Sequence, residues 1–171
     1  MLLQNETNET ATIISEAARR GLTVVFNPSP FNETIKALPL QDVGLFIVNR
    51  IEGAELALMS AEDEPEKILS ALSERYPKAD IVMTLGTKGV ICNVGGEMFS
   101  QSIFRVNAVD TTAAGDTFCG YLLASLCMGR NMQDCLRISA AASAIAVSRP
   151  GAAPSIPTEE EVQKFLSDWQ D

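Results

Sequence analysis

The chain has 171 residues, 46% of them hydrophobic and 20% charged, with a net charge of −9 and no histidine at all. That length suits one domain with a substantial core. The acidic balance leaves no basic stripe for nucleic acid, and the missing imidazoles exclude Ser-His-Asp and Cys-His catalysis and the common His-containing zinc sites within this polypeptide.

Proton transfer near neutral pH therefore falls to a carboxylate or another uncommon base. Cys92, Cys119, Cys127 and Cys135 show neither CxxC pairing nor metal-ligand spacing and are read as reduced core residues. No apolar run reaches membrane-spanning length, and the start lacks the basic-then-apolar order of a secretory signal. A cytoplasmic setting is expected, and the Asn-x-Thr triplets at Asn5, Asn8 and Asn32 are not read as glycosylation sites.

In chain order, Leu2 and Leu3 belong to a strand, and residues 10–20 have helical spacing, ended by Gly21. A buried strand over 22–26 is stopped by Asn27-Pro28-Ser29-Pro30. Residues 43–48 form a second buried strand, 51–59 a short helix and 63–76 an amphipathic helix. Parallel strands follow at 80–84 and 89–94, then a Gly95-Gly96 hairpin turn. An extended segment at 103–109 leads to an apolar helix over 117–128. The Ala-rich stretch 132–148 is a buried helix, and Thr158 caps the last helix ahead of Glu159, Glu160 and Glu161. Strands alternating with helices predict an α/β fold: a mostly parallel sheet covered on both faces, with ligands beyond the carboxyl ends of its strands. Asn27, Asn49, Thr84 and the segment after residue 109 are expected to converge there.

The most informative segment runs Asp110-Thr-Thr-Ala-Ala-Gly-Asp-Thr-Phe-Cys-Gly-Tyr-Leu122. Small residues at Ala113, Ala114 and Gly115 allow close approach of a ligand to the backbone, and unpaired N–H groups of a first helical turn attract an anion. Asp116 stands at the mouth of that turn, where a carboxylate repels phosphate unless it has work to do. Taken locally, the same residues also make a tight turn with Asp116 favouring the helix dipole. Asn49 and Glu52, one helical turn apart, likewise read as a helix cap with an early acid.

With those landmarks in order, together with Gln4-Asn5-Glu6, the run Thr84 to Gly89 and the run Arg149 to Ser155, the chain resembles the ribokinase (pfkB carbohydrate kinase) family over nearly its whole length. The resemblance implies a three-layer ribokinase-like α/β fold as one domain over residues 1–171, incomplete on its N-terminal side. It implies transfer of a phosphoryl group from ATP to a hydroxyl of a sugar or related polyol, with magnesium and, in the same setting, potassium as cofactors. Asp116 is then the catalytic base, and the N–H groups of Ala113, Ala114, Gly115 and Asp116 form the anion hole. Asn49, Thr84, Gly86, Lys88, Gly89, Ala140 and Ser143 are assigned to the nucleotide, with Glu52 serving magnesium through water. Glu6 and Asn27 are assigned to the acceptor pocket, and Asp110, Thr112, Ala146, Arg149, Gly151 and Ser155 to a potassium loop.

The family's N-terminal part, with its Gly-Gly signature, most sugar contacts and a lid, has no counterpart in the sequence. The edge near Leu2 and Leu3 is then left uncovered, and a homo-oligomer or association with a missing N-terminal half is expected. A non-catalytic nucleotide- or phosphate-binding module and a dimerising structural remnant stand as alternatives to a kinase.

Overall fold

A computed structural model describes residues 1–169. The chain forms two compact units, one of residues 1–86 and 90–99, the other of 87–89 and the chain from Ser100 onward.

The first unit is built on a sheet. Its strands are β1 (Leu2–Gln4), β2 (Val25–Asn27), β3 (Leu45–Asn49), β4 (Asp80–Thr84), β5 (Val90–Val94) and β6 (Glu97–Gln101), the end of the last passing into the second unit. They lie side by side in sequence order. β1 to β4 are parallel, as alternating strands and helices require. The expectation that residues 89–94 continue the parallel set is corrected, because β5 runs antiparallel to β4. The reason is geometric: the link between them spans only residues 85–89, too short for a crossover. Gly95 and Gly96, at φ +59° and +82°, then form the tight turn into β6, a conformation that glycine adopts without a side-chain clash.

Leu45, Phe46, Ile47 and Val48 are buried in succession, the mark of a strand covered on both faces. Helices α1 (Thr10–Arg19), α2 (Arg50–Ala57) and α3 (Pro65–Arg75) flank the sheet. Pro65 starts α3 where a missing N–H costs nothing, and Ile68, Leu69 and Leu72 carry its buried stripe. The first buried strand begins at Val25 and not at Leu22, whose side chain is 49% exposed. Register pairs Gln4 with Asn27 and Asn49 with Thr84, so the strand ends carrying Asn27, Asn49 and Thr84 lie along one edge of the sheet.

The second unit is helical: α4 (Ala114–Cys127), α5 (Met132–Val147) and α6 (Glu159–Asp168). Asn131 caps α5 by accepting the Asp134 N–H, and Ala141, Ala142 and Ala146 are fully buried. Thr158 and Glu161 form a reciprocal capping box on α6. Residues 103–109, expected as an extended segment, contribute no strand. Phe104 is buried instead against aromatic rings, with Phe165 at 5.5 Å and Trp169 at 5.1 Å between centroids. Ile103 and Val109 remain exposed, so Phe104 is the buried anchor of this segment. Cys92, Cys119 and Cys135 are buried as read, but Cys127 is exposed at the end of α4, correcting its core assignment.

Two substitutions separate packing from backbone strain in the first unit. Leu72, fully buried, should cost about 2–5 kcal/mol when truncated to Ala. Leu58 closes α2 in the left-handed region at φ 58° with its side chain 63% exposed. Leu58→Gly should therefore stabilise by about 1 kcal/mol, since little packing is lost and the steric cost of that conformation disappears. Urea unfolding of both variants checks the opposite signs.

Candidate functional site

On the first unit, the strand ends supply a row of polar residues, each already tied to the backbone nearby. Asn27 accepts the Ser29 N–H at 3.2 Å, which bends the chain into the Asn-Pro-Ser-Pro turn. Asn49 ends β3 and caps α2: its Oδ1 accepts the Glu52 N–H at 2.9 Å, while Glu52 Oε2 accepts the Asn49 N–H at 2.9 Å. The capping reading of this pair is thus realised in full. Glu52 is nevertheless only 6% exposed, and burial raises its carboxyl pKa against the opposing pull of hydrogen bonds from Asn49 and the Ser29 side chain. A capping box is served equally by Gln, so a buried acid here is an extra electrostatic cost. Ser29 was not singled out from sequence; only its place between two prolines after a strand pointed to it. Arg50 was also missed: it donates to the Asp63 carbonyl at 2.9 Å, and its Nε is buried without a partner.

Thr84 closes β4, with its hydroxyl 3.4 Å from the Val48 carbonyl. The following turn holds Gly86 and Lys88, both exposed, and Gly89. Gly89 is the constrained one: at φ +92°, a Cβ there would stand 2.1 Å from the Gln101 carbonyl oxygen. Glu6 lies exposed in the turn after β1.

On the second unit, α4 begins at Ala114, three residues before the sequence placed it. Its N-cap, Ala113, sits in the left-handed region at φ 61°. The Ala114 N–H is spent on the Thr111 carbonyl at 3.3 Å, so this amide, assigned to the anion hole, is already engaged. The physical reason is the left-handed turn, which folds Thr111 back over it. The Gly115 N–H has no partner among the described residues, and the space where its Cβ would stand is open. Asp116 is the third residue of the helix and is exposed. Thr117, one position on, is buried with its hydroxyl unpartnered.

The loops assigned to potassium meet through Asp110. Its Oδ1 accepts the Thr112 N–H at 2.9 Å and its Oδ2 the Gly151 N–H at 3.0 Å. Those bonds hold its carboxyl below the ordinary aspartate range, the Thr112 side chain and N–H first and the Gly151 N–H after them. The Ala146 carbonyl accepts the Arg149 N–H at 3.1 Å, and the Ser155 hydroxyl donates to the Ala152 carbonyl at 2.7 Å. Arg149 is paired with Glu161 at 2.6 Å. Ser143, assigned to the nucleotide with Ala140, donates its hydroxyl to the Ala114 carbonyl at 3.1 Å and so braces the first turn of α4. Ala140, on the same helix, is half-buried.

A family model, pfkB family carbohydrate kinase, matches residues 2–159. The chain belongs to this family. It is 35% identical over 152 residues to a ribokinase of Haemophilus influenzae, covering 88% of this chain and 49% of that protein. A crystal structure of ribokinase from Cryptococcus neoformans in complex with ADP superposes with a TM-score of 0.83 at 32% identity, covering 95% of this chain and 58% of the other. Arabidopsis thaliana ribokinase complexed with ribose and ATP gives a TM-score of 0.83 at 28% identity, covering 99% and 55%. The fold is therefore ribokinase-like, as expected. The chain spans about half the length of the curated pfkB-family relatives it matches.

The Glu52 environment has a signed consequence. Because its folded pKa is raised, its contribution to stability is largest in acid and is lost as pH rises through that value. The unfolded carboxyl titrates near about 4.3. Glu52→Gln keeps the oxygen that accepts the Asn49 N–H, so its stability relative to the parent should grow between about pH 4 and pH 7 in paired denaturation curves. Gly89→Ala should lose more than about 2 kcal/mol, against about 1 kcal/mol for Gly86→Ala, where no atom lies in the way.

Proposed function

We propose that this chain carries the nucleotide and phosphoryl-transfer elements of a sugar kinase. The reaction is ATP-dependent phosphorylation of a hydroxyl on a sugar or related small molecule. The observation that carries the reading is the head of α4: a non-glycine residue held left-handed, an open Gly115 N–H behind it and the Asp116 carboxylate on the next residue. Fixed dipoles of this kind meet charge developing on phosphoryl oxygens without reorganising. Relatives described with ADP, and with ribose and ATP, support the same substrates here.

In this reading the acceptor hydroxyl oxygen forms the new bond to the γ-phosphorus as the bond to the β–γ bridging oxygen breaks. ADP leaves, and the hydroxyl proton passes to the Asp116 carboxylate. Gly115 supplies an amide to the transferring group, helped by the turn that Ala113 sets. Asn49, Thr84, Gly86, Lys88, Gly89, Ala140 and Ser143 serve the nucleotide, and Glu6 and Asn27 serve the acceptor pocket. Ser143 does so indirectly, through its bond to Ala114.

Magnesium, carried in with ATP, supplies positive charge to the phosphates. The residues fit a water-mediated role: among the described residues no group of three acidic or sulfur ligands forms a cage, while Glu52 is a single buried carboxylate whose desolvation a nearby cation would relieve. The loops bearing Asp110, Thr112, Ala146, Arg149, Gly151 and Ser155 are assigned to potassium. A carboxylate with one N–H on each oxygen retains lone pairs for a weakly held cation. No helix among the described residues is long and apolar enough to cross a membrane. Unpaired cysteines suit a cytoplasmic enzyme.

A second reading, nucleotide binding without turnover, is favoured by the engagement of the Ala114 amide, which leaves fewer open donors for a transferring group. Calorimetry with ATP and magnesium, followed by ADP release over a panel of sugars, separates the two. The kinase reading expects Asp116→Asn to cut turnover by about 10²–10⁴-fold while ATP affinity holds. Binding with no Asp116-dependent release makes the chain a binding module; no binding overturns both readings.

A further inference from the structure

The first turn of α4 faces a competitor that its own sequence supplies. Asp110 followed by Thr-Thr-Ala-Ala is a good helix start, with an acceptor side chain placed to cap amides two and three residues on. Were Ala113 to take the right-handed conformation its side chain prefers, α4 would wind one turn further toward Asp110. The Gly115 N–H would then bond back to the Thr111 carbonyl, and the donor left open in the structure would vanish. Half of that arrangement already exists, since Asp110 Oδ1 holds the Thr112 N–H at 2.9 Å.

What opposes the winding is the other half of the same carboxylate. Asp110 Oδ2 reaches across to the Gly151 N–H at 3.0 Å, and the Val147 carbonyl accepts both the Val109 N–H at 2.7 Å and the Asp110 N–H at 3.2 Å. Gly151 is itself left-handed at φ 86°, so its N–H direction is fixed by the turn after α5. These ties pin residues 109–110 to the end of α5, and Ser143 pins the Ala114 carbonyl to the middle of it at 3.1 Å. The chain between the two pins has to turn, and it turns at Ala113.

We infer that Asp110 is a positioning residue that, through its bond to the Gly151 N–H, keeps Ala113 left-handed and the Gly115 N–H open for a phosphate. Its use for ATP rests on the reading above, but the conformational claim does not. Three variants test it, read by amide hydrogen exchange at Gly115 and by calorimetry with ATP and magnesium. Asp110→Ser keeps an oxygen for the Thr112 N–H yet is too short to reach Gly151. Asp110→Asn keeps one acceptor and turns the other arm into a donor, and stands in should the serine variant not fold. Each should slow Gly115 exchange and weaken ATP binding, both by about ten-fold. Adding Ala113→Gly to either, since glycine takes the left-handed region freely, should restore both readouts to within about two-fold of the parent.

Unchanged Gly115 exchange in both Asp110 variants overturns the inference, as does a slowed exchange that Ala113→Gly fails to reverse. If the parent chain does not bind ATP, the proposed function fails. The exchange data still decide whether Asp110 holds the turn.

Discussion

A left-handed alanine in front of a helix does not stay there by its own preference. The conformation costs roughly 1–2 kcal/mol, and it persists only where neighbours leave no cheaper path. In this chain the constraint at Ala113 is set by a ring of short polar bonds within the second unit: a carboxylate shared between two loops, a carbonyl at the end of α5 shared by two amides, and a serine hydroxyl on the Ala114 carbonyl. The bend also brings Asp116 into the first turn of α4 and leaves the Gly115 amide without a partner among the described residues. The local chemistry of the signature segment follows from that one backbone choice.

The same economy recurs on the first unit. Asn49 and Glu52 satisfy each other's amides, which fixes where β3 ends and α2 begins. Structure and function usually compete for such side chains, but a carboxylate has two oxygens and about four acceptor positions. One oxygen of Glu52 is spent on the cap; desolvation of the acid is the residue of cost that the cap does not explain. In the proposed reading, a cation carried in with ATP offsets that cost. On the same reading, a chain without histidine asks its carboxylates for both architecture and reactivity.

Much of this was legible in the residues. The buried run of β3, the apolar stripe of α3, the Ala-rich α5 and the Thr158 cap announce themselves by period and composition, because burial and capping act through local side chains. Direction is not encoded that way. Residues 90–94 show strand composition whether they run with or against β4, and only the shortness of the link settles it. Phe104 shows why an apolar residue in an irregular segment need not mark a strand, since two aromatic rings bury its side chain. The order of landmarks gave the family, and the family model agrees. The true start of α4, the engaged Ala114 amide and the bracing role of Ser143 were not legible, because each depends on a backbone angle or a partner some thirty residues away.

Phosphoryl transfer asks a protein for two different things, fixed charges around the moving group and a closed, dry space in which they act. Fixed charges can be built locally. The turn at Ala113 and the caps at Asn49 and Glu52 are each complete within one unit, and each is held by bonds no longer than 3.3 Å. A dry space is different, because excluding water takes surface that encloses the acceptor from several sides. In the proposed reading, nucleotide affinity draws on those local charges. Acceptor choice draws on enclosure, which no single turn or cap provides.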